Sequence, residues 1–249
     1  MQPLKLLLVG TLCLLPLVSQ PAQAAALTDA QKKEVENIVR TLLTDKEPEL
    51  IIKAAQAAQM RMEKESVAKG QKAVTKNLGK LTQDDNTPVS GNPKGDVTIV
   101  EFFDYSCGYC KMVQPHLEKL MNTDKNIRYV YKELPILGAG SMAASKAALA
   151  SVKQGKYVEF HKALMESPGH LTESRVMDIA KKTGLDLAQL KKDMQDSQIE
   201  KTIKENVALA RELGAQGTPT FIIGGKLRPG ALDYEQFREA VEQARSAKK

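Results

Sequence analysis

Residues 100–115 read VEFFDYSCGYCKMVQP, and the rest of the chain is interpreted outward from them. The apolar run starts slightly earlier, so the strand core spans 97–103, VTIVEFF, and leads almost directly into Cys107-Gly108-Tyr109-Cys110. The pattern predicts a buried strand, a tight turn and a helix whose first turn carries two thiols. A helix start leaves backbone N–H groups unpaired and carries positive dipole charge, which stabilises a thiolate there. Such placement lowers a cysteine pKa from about 8.5 to about 3.5–7.5. Cys107 is expected at the cap with its sulfur exposed, and Cys110 one turn on, half buried. Two intervening residues, Gly108 and Tyr109, let the sulfurs close a small-ring disulfide in which the first thiol attacks and the second resolves. The competing use of such a pair is half of a zinc site, which takes four ligands, usually with a second Cys or His pair at short spacing. The only other cysteine is Cys13, and His116, His161 and His170 are scattered singly. The residues favour redox chemistry that needs no metal and no organic cofactor.

The 249 residues carry a formal charge of +6, with 42% hydrophobic and 27% charged residues, an ordinary balance for a chain with a core. Basic and acidic residues are interspersed, and no basic stripe with aromatic platforms marks a nucleic-acid surface. Residues 1–24 have Lys5, an apolar run from Leu6 to Val18, and Ala22-Gln23-Ala24. That is the pattern of a secretory signal peptide cleaved before Ala25. Cys13 lies within it, in a poor match to a lipoprotein cleavage box, and is expected to be removed with it. The mature chain then keeps only the C-x-x-C pair, in a compartment where disulfides persist. A structural staple is the plainer alternative, but so short a loop constrains little chain.

Residues 25–81 read as a separate helical segment. Thr28 is the expected cap, and Val35, Ile38, Val39, Leu42 and Leu43 form one apolar face. Thr44 and Pro48 mark a break. A second helix from Glu47 to about Lys80 carries a heptad-like seam of Ile51, Ala55, Ala58 and Met62, then a polar, lysine-rich stretch from Lys64. At 1.5 Å per residue it would span roughly 50 Å, against a radius of gyration of about 15 Å for the following domain. The reading is an oligomerisation segment with a solvated stalk, which Gly70 and Gly79 are placed to interrupt; the alternative is shorter helices lying on the catalytic domain. Residues 82–94, TQDDNTPVSGNPK, have linker chemistry with a short edge strand near Pro88-Val89-Ser90, and the main domain occupies 95–249.

Beyond the redox motif, IRYVYKEL at 127–134 predicts a second buried strand, and helices are expected at 141–152, 157–165, 173–182, 187–194 and 199–213. Gly184 and Gly214 stop two of them. TFII at 220–223, the Gly224-Gly225 turn and Lys226-Leu227 form a hairpin, and Asp233 caps a last helix. Glu101 is a candidate buried acid beneath the sulfurs, with a raised pKa and the capacity to take the proton of Cys110. A partly solvated strand residue is the plainer reading. Lys132 is a candidate partner for Glu101, and His116 the one histidine near the motif.

CGYCKMVQP resembles the thioredoxin active-site segment, with Pro115 kinking the helix, and EFFDYSC, with Glu101 six residues before Cys107, is similar to the approach strand of the DsbA family. The order strand, helix, strand, helical block, hairpin, helix resembles an α/β thioredoxin fold with a helical insertion at about 138–214. In Gly217-Thr218-Pro219-Thr220 the resemblance implies a cis Pro219 facing the sulfurs. It also implies a Thr218 hydroxyl near Cys107, where DsbA-like oxidases often carry an aliphatic residue and disulfide isomerases a threonine. Gly108-Tyr109 lacks the histidine common between the cysteines of DsbA-type oxidases, which implies a weaker oxidant. Taken whole, the chain resembles the Com-type and related oligomeric DsbA-like proteins of Gram-negative bacteria. That resemblance implies an enzyme of the periplasm, with outer-membrane or surface association, that forms or isomerises disulfides in cysteine-containing secreted clients. A membrane redox partner and a homodimer, or alternatively a trimer, are implied with it. The rival class is a surface-associated binding or chaperone-like oligomer whose thiols are secondary.

Overall fold

The computed structural model describes residues 26–83 and 86–247. The expected signal peptide and Cys13 lie outside the described residues. The described chain divides into two compact units, residues up to Ala58 and Gln59 onward.

In the first unit, α1 (Asp29–Thr41) opens with a capping box in which the Thr28 hydroxyl and the Gln31 side chain serve each other's backbone N–H. It widens into a π-helical turn over Leu42–Lys46, with the Glu47 N–H reaching the Leu42 carbonyl at 2.7 Å. Val35, Ile38 and Val39 on its apolar face are all exposed. Helix α2 (Leu50–Lys76) starts after Pro48, and α3 (Leu78–Thr82) follows one turn at Asn77.

The second unit is built on a five-stranded sheet in the order β1-β3-β2-β4-β5. Central β2 (Val97–Phe103) is the VTIVEFF run and is buried on both faces. It runs parallel to β3 (Ile127–Glu133), with Glu101 opposite Tyr131 and Phe102 opposite Lys132. On its other side β2 pairs antiparallel with β4 (Thr220–Ile223), which turns through Gly224 and Gly225 into β5 (Lys226–Pro229). Both turn glycines have positive φ, 55° and 80°, as a two-residue hairpin of matching twist requires. Short β1 (Val89–Gly91) pairs antiparallel with β3 at the opposite edge. Segment 82–94, expected to be a linker with a short edge strand near Pro88-Val89-Ser90, carries a strand of this unit at Val89–Gly91.

Alternation along the strands divides the core in two. Val97, Ile99, Phe103, Tyr129, Tyr131, Phe221 and Ile223 face α4 (Gly108–Thr123) and α10 (Tyr234–Ser246). Between β3 and β4 the chain inserts α5 (Ala139–Ser151), α6 (Tyr157–Glu166), α7 (Glu173–Lys182), α8 (Leu187–Asp193) and α9 (Ser197–Glu212). On the other face Val100, Phe102, Val130 and Ile222 pack with Val74, Leu81, Leu209, Leu213 and Leu227.

That second cluster corrects the expectation of a solvated stalk through Lys80. Gly70, Val74, Asn77 and Leu81 are buried, one seam along α2 and α3. Gly70 does not break the helix; a Cβ there would collide with the Leu213 carbonyl oxygen and the Leu227 side chain, so glycine permits the close approach. The Gln71 amide then donates to the Gly225 carbonyl at 2.6 Å and accepts from the Leu227 N–H at 2.9 Å. Burying Val74 and Leu81 stabilises this docking by about 1.5–3 kcal/mol per side chain.

Candidate active site

Cys107 is the N-cap of α4, with extended backbone (φ −77°, ψ 117°), and Pro115 sits inside the helix. Cys107 occupies the position where a Ser or Asp side chain usually accepts from the first-turn N–H groups. Both thiols are free. Cys107 is only 7% exposed and Cys110 0%, so both sulfurs lie deeper than expected, because the segment around Thr218 closes over the helix end.

The two thiols are strongly unequal. Cys107 is lowered to about 5, first because the Cys110 thiol donates to its sulfur. Burial opposes that, and the Thr218 hydroxyl and the backbone N–H groups of Cys110 and Tyr109 add further donation. When Cys107 is protonated, its thiol instead donates to the Thr218 carbonyl at 3.2 Å. Cys110 is pushed far above the ordinary thiol range by burial, by its donation to Cys107 and by the nearby Glu101 carboxyl. One sulfur is thus a ready nucleophile and the other holds its proton.

Glu101 is 1% exposed on the strand face beneath this pair. Burial pushes it up to about 8, against the donation of the Tyr129 hydroxyl to its Oε2 and with help from the charges of Cys107 and Glu133. Its expected partner is elsewhere. Lys132 stands opposite Phe102, so its side chain projects to the other sheet face, where Nζ donates to Thr87 Oγ1 at 2.8 Å. The Thr218-Pro219 peptide is cis. Gly108 and Tyr109 are exposed, as is Met112.

Two polar centres were not anticipated from the sequence. Asp104 is buried and joins three segments. Its Oδ1 accepts from the Ser106 N–H at 2.7 Å and the Ser141 hydroxyl at 2.6 Å, and its Oδ2 from the N–H groups of Ile136 and Leu137 at 2.8 and 3.0 Å. It fixes the redox turn to the loop that exposes Ile136 and Leu137. The signal was the short D-x-S spacing of an Asx turn. The second centre is Glu133, which accepts from Tyr105, Tyr157 and Ser145 hydroxyls at 2.9, 2.8 and 2.7 Å. Burial, partly offset by those donors, pushes it up to about 8. Tyr105 also meets His161 Nδ1 at 3.0 Å. His161 is fully buried among Phe103, Tyr131 and Tyr157, and burial lowers it to about 3. The histidine integrated with the site is therefore His161, whereas His116 lies partly exposed on α4.

An N-capping cysteine, a second cysteine one turn on and a facing cis-proline segment, on a sheet of this order, define a thioredoxin-class site. A DSBA-like thioredoxin domain model matches residues 98–242. The chain belongs to that DsbA-like family of thiol:disulfide oxidoreductases. It is similar to a thioredoxin-like oxidoreductase from Silicibacter pomeroyi, with 46% identity, a TM-score of 0.66, and 68% of this chain and 97% of that one covered. A linker-deletion mutant of Proteus mirabilis ScsC matches at 31% identity and a TM-score of 0.68, covering 90% of this chain and all of that one. The thiol-disulfide exchange protein alpha-DsbA2 of Wolbachia pipientis is 34% identical, with a TM-score of 0.66, 70% of this chain and 95% of that one. Among curated proteins, 162 residues match an Na(+)/H(+) antiporter NhaA 1 of Salinispora arenicola at 32% identity, 64% of this chain and 25% of that protein. The chain therefore spans about a quarter of the length of that relative. No helix among the described residues is long and apolar enough to cross a membrane.

Proposed function

We propose that this chain is an exported protein thiol:disulfide oxidoreductase working through Cys107 and Cys110 on cysteine-containing secreted clients. The observation that carries the proposal is the inequality of the two thiols at one helix N-terminus. The Cys107 thiolate attacks a client disulfide, or its disulfide with Cys110 accepts a client thiolate, and the mixed disulfide is resolved by Cys110 or by a second client thiol. Glu101 takes the proton that Cys110 must lose. Thr218 and Pro219 form the wall against which the client segment lies, with Gly108 and Tyr109 at its lip.

A Cys107 pKa of about 5 lies between the values of about 7 and 3.5 that accompany thioredoxin and DsbA chemistry. The matching reduction potential lies between about −270 and −120 mV, which suits both oxidation and reshuffling. Residence in the periplasm follows from the secretory pattern at residues 1–24, and a membrane partner would reset the thiols between cycles. The exposed apolar faces of α1 and the start of α2, with Val35, Ile38, Val39, Ile51 and Ile52, support a homo-oligomer that holds two or more such sites together.

The test is redox equilibration with glutathione beside refolding of a scrambled disulfide substrate, for residues 25–249 and for a chain beginning at Gln59. A cut nearer Pro88 would remove Val74 and Leu81 from the core. Exchange by both chains, with refolding lost only in the shorter one, is expected. Absence of exchange in the longer chain would refute the enzyme, and refolding untouched by Cys107→Ala would revive the binding-protein reading.

A further inference from the structure

Glu101 has a transport problem. Each time Cys110 gives up its proton the carboxyl must hold it and then release it to water, yet Glu101 is enclosed in the sheet core. Above it stand the sulfurs, and during resolution of a mixed disulfide the client covers the Cys107 and Thr218 side. The groups bearing on Glu101 are Cys107 and Cys110 from α4, and Tyr129, Tyr131 and Glu133 from β3. None carries a positive charge. On β4 the residue opposite Glu101 is Phe221, packed edge to face on Phe237 of α10 at 5.0 Å, and neither ring moves protons.

One hydroxyl is hydrogen-bonded to the carboxyl. Tyr129 donates to Glu101 Oε2, and Tyr129 also lines a groove of about 540 Å³ running between β1, the flank of α4 and α6. The groove is bordered by polar groups, among them Asn92, Gln114, Glu118, Lys125 and Lys162. Gln114 and Glu118 lie one and two turns beyond Cys110 on α4. None of Cys107, Tyr109, Met112, Thr218 or Pro219 borders it. The groove therefore opens on a different side from the surface a client would cover.

We propose that Tyr129 is the proton exit of this site, passing the Glu101 proton into the β1–α4–α6 groove while a client still occupies the sulfur face. The inference rests on the redox reading given above. In the step itself, the Cys110 Sγ–H bond breaks and its proton moves to the Glu101 carboxylate. The Cys110 thiolate attacks Cys107 Sγ, the new S–S bond forms, the Cys107–client S–S bond breaks, and the client sulfur leaves with the electron pair. Glu101 then protonates the Tyr129 oxygen as the Tyr129 hydroxyl proton passes to groove water, which returns the carboxylate for the next cycle. The mixed disulfide and the Cys110 thiol become the Cys107–Cys110 disulfide, a client thiolate and the released proton, so the number of disulfides is unchanged and no outside oxidant is consumed. Tyr129 touches no reacting sulfur; it is a relay residue acting through Glu101.

The test uses the mature full-length chain trapped as a mixed disulfide through Cys107, either with glutathione, which leaves the sulfur face largely open, or with a folded protein client, which covers it. Release of the thiol is timed for wild type, Tyr129→Phe, Glu101→Gln and the double variant. Phenylalanine keeps the ring in the core and removes only the hydroxyl. The expected result is an approximately tenfold slowing in Tyr129→Phe with the protein client, within the range that positioned proton transfer contributes. A smaller effect is expected with glutathione, and no further loss when the substitution is added to Glu101→Gln. Gln114→Trp, which obstructs the groove from the α4 side while leaving the Tyr129 hydroxyl and Glu101 in place, should reproduce the client-dependent slowing. Wild-type release with no slowing in either variant overturns the exit, as does equal slowing with both clients or a loss additive to Glu101→Gln. Absence of release in the wild type itself would instead overturn the redox reading.

Discussion

Replacing Thr218 by valine isolates one contribution to thiolate stability without changing side-chain shape. The Cys110 thiol is the largest stabiliser of the Cys107 thiolate, and the Thr218 hydroxyl is the next donor, ahead of the two backbone N–H groups. A hydrogen bond to a charged group is worth about 1.5–3 kcal/mol, and the partly exposed Thr218 belongs at the low end of that range. A loss of about 1.4 kcal/mol raises the thiol by about one pKa unit, taking Cys107 from about 5 to about 6. The Thr218 carbonyl is retained, so the protonated form keeps its acceptor. Near neutral pH both proteins are fully ionised at Cys107, and the lost stabilisation then falls on the reduced form alone. The reduction potential should drop by about 30 mV, because 1.4 kcal/mol corresponds to that shift in a two-electron couple. The pH profile of Cys107 alkylation gives the first quantity and equilibration with glutathione the second. An unmoved alkylation midpoint, or a potential that shifts while the midpoint does not, would refute the assignment of the hydroxyl to the thiolate.

Stability against pH gives a second prediction. In the reduced protein, Glu101 and Glu133, each near 8 when folded, hold protons that the unfolded chain releases above about 4.5, so each loses stabilisation as pH rises toward 8. Cys107 acts oppositely, being ionised when folded and protonated when unfolded between about 5 and 9. Two losses, each tapering as its carboxyl ionises near pH 8, against one gain leave a net fall of about 1.4 kcal/mol from pH 6.5 to pH 8 in wild type, at about 1.36 kcal/mol per unit. Glu101→Gln should flatten that window, and urea denaturation at the two pH values decides it. On the acid side, His161 is held near 3 and finds no partner for Nε2 among the described residues, so unfolding takes up a proton below about pH 6.5. His161→Phe should match wild type at neutral pH within about 1 kcal/mol and gain on it by about 1.4 kcal/mol per unit of acidification. A constant deficit at every pH would show that the Nδ1 bond to Tyr105 outweighs the cost of burying the ring.

Much of the redox half of the site was legible because it is local in sequence. VTIVEFF gives a strand with both ends marked, and the observed β2 has the expected limits. The capping residues Thr28 and Asp233, each three residues before a glutamine, lie where the helices begin. What escaped depends on pairing between distant segments. Lys132 and Tyr131 differ by one residue, and only the β2–β3 register decides which of them shares the face of Glu101. The Tyr129 contact has the same origin. Glu133 comes from β3, Tyr105 from the redox turn, and Tyr157 and His161 from one face of α6, and no spacing brings these three segments together beforehand. Helix α2 is a different case: Gly70, Val74, Asn77 and Leu81 recur at four, three and four residues, but the surrounding lysines concealed that seam.

The Gln71 amide has one more effect. Strand β5 is an outer strand of the sheet, and its free N–H and C=O groups are a template on which another chain can add. Gln71 takes up the Leu227 N–H and the Gly225 carbonyl, and Pro229 at the strand end has no N–H to offer. Under the function proposed above, extended client segments would meet this edge, and any of them could lengthen an open sheet. The glutamine works as a border guard: it occupies the Leu227 N–H and the neighbouring Gly225 carbonyl that an added strand would otherwise take.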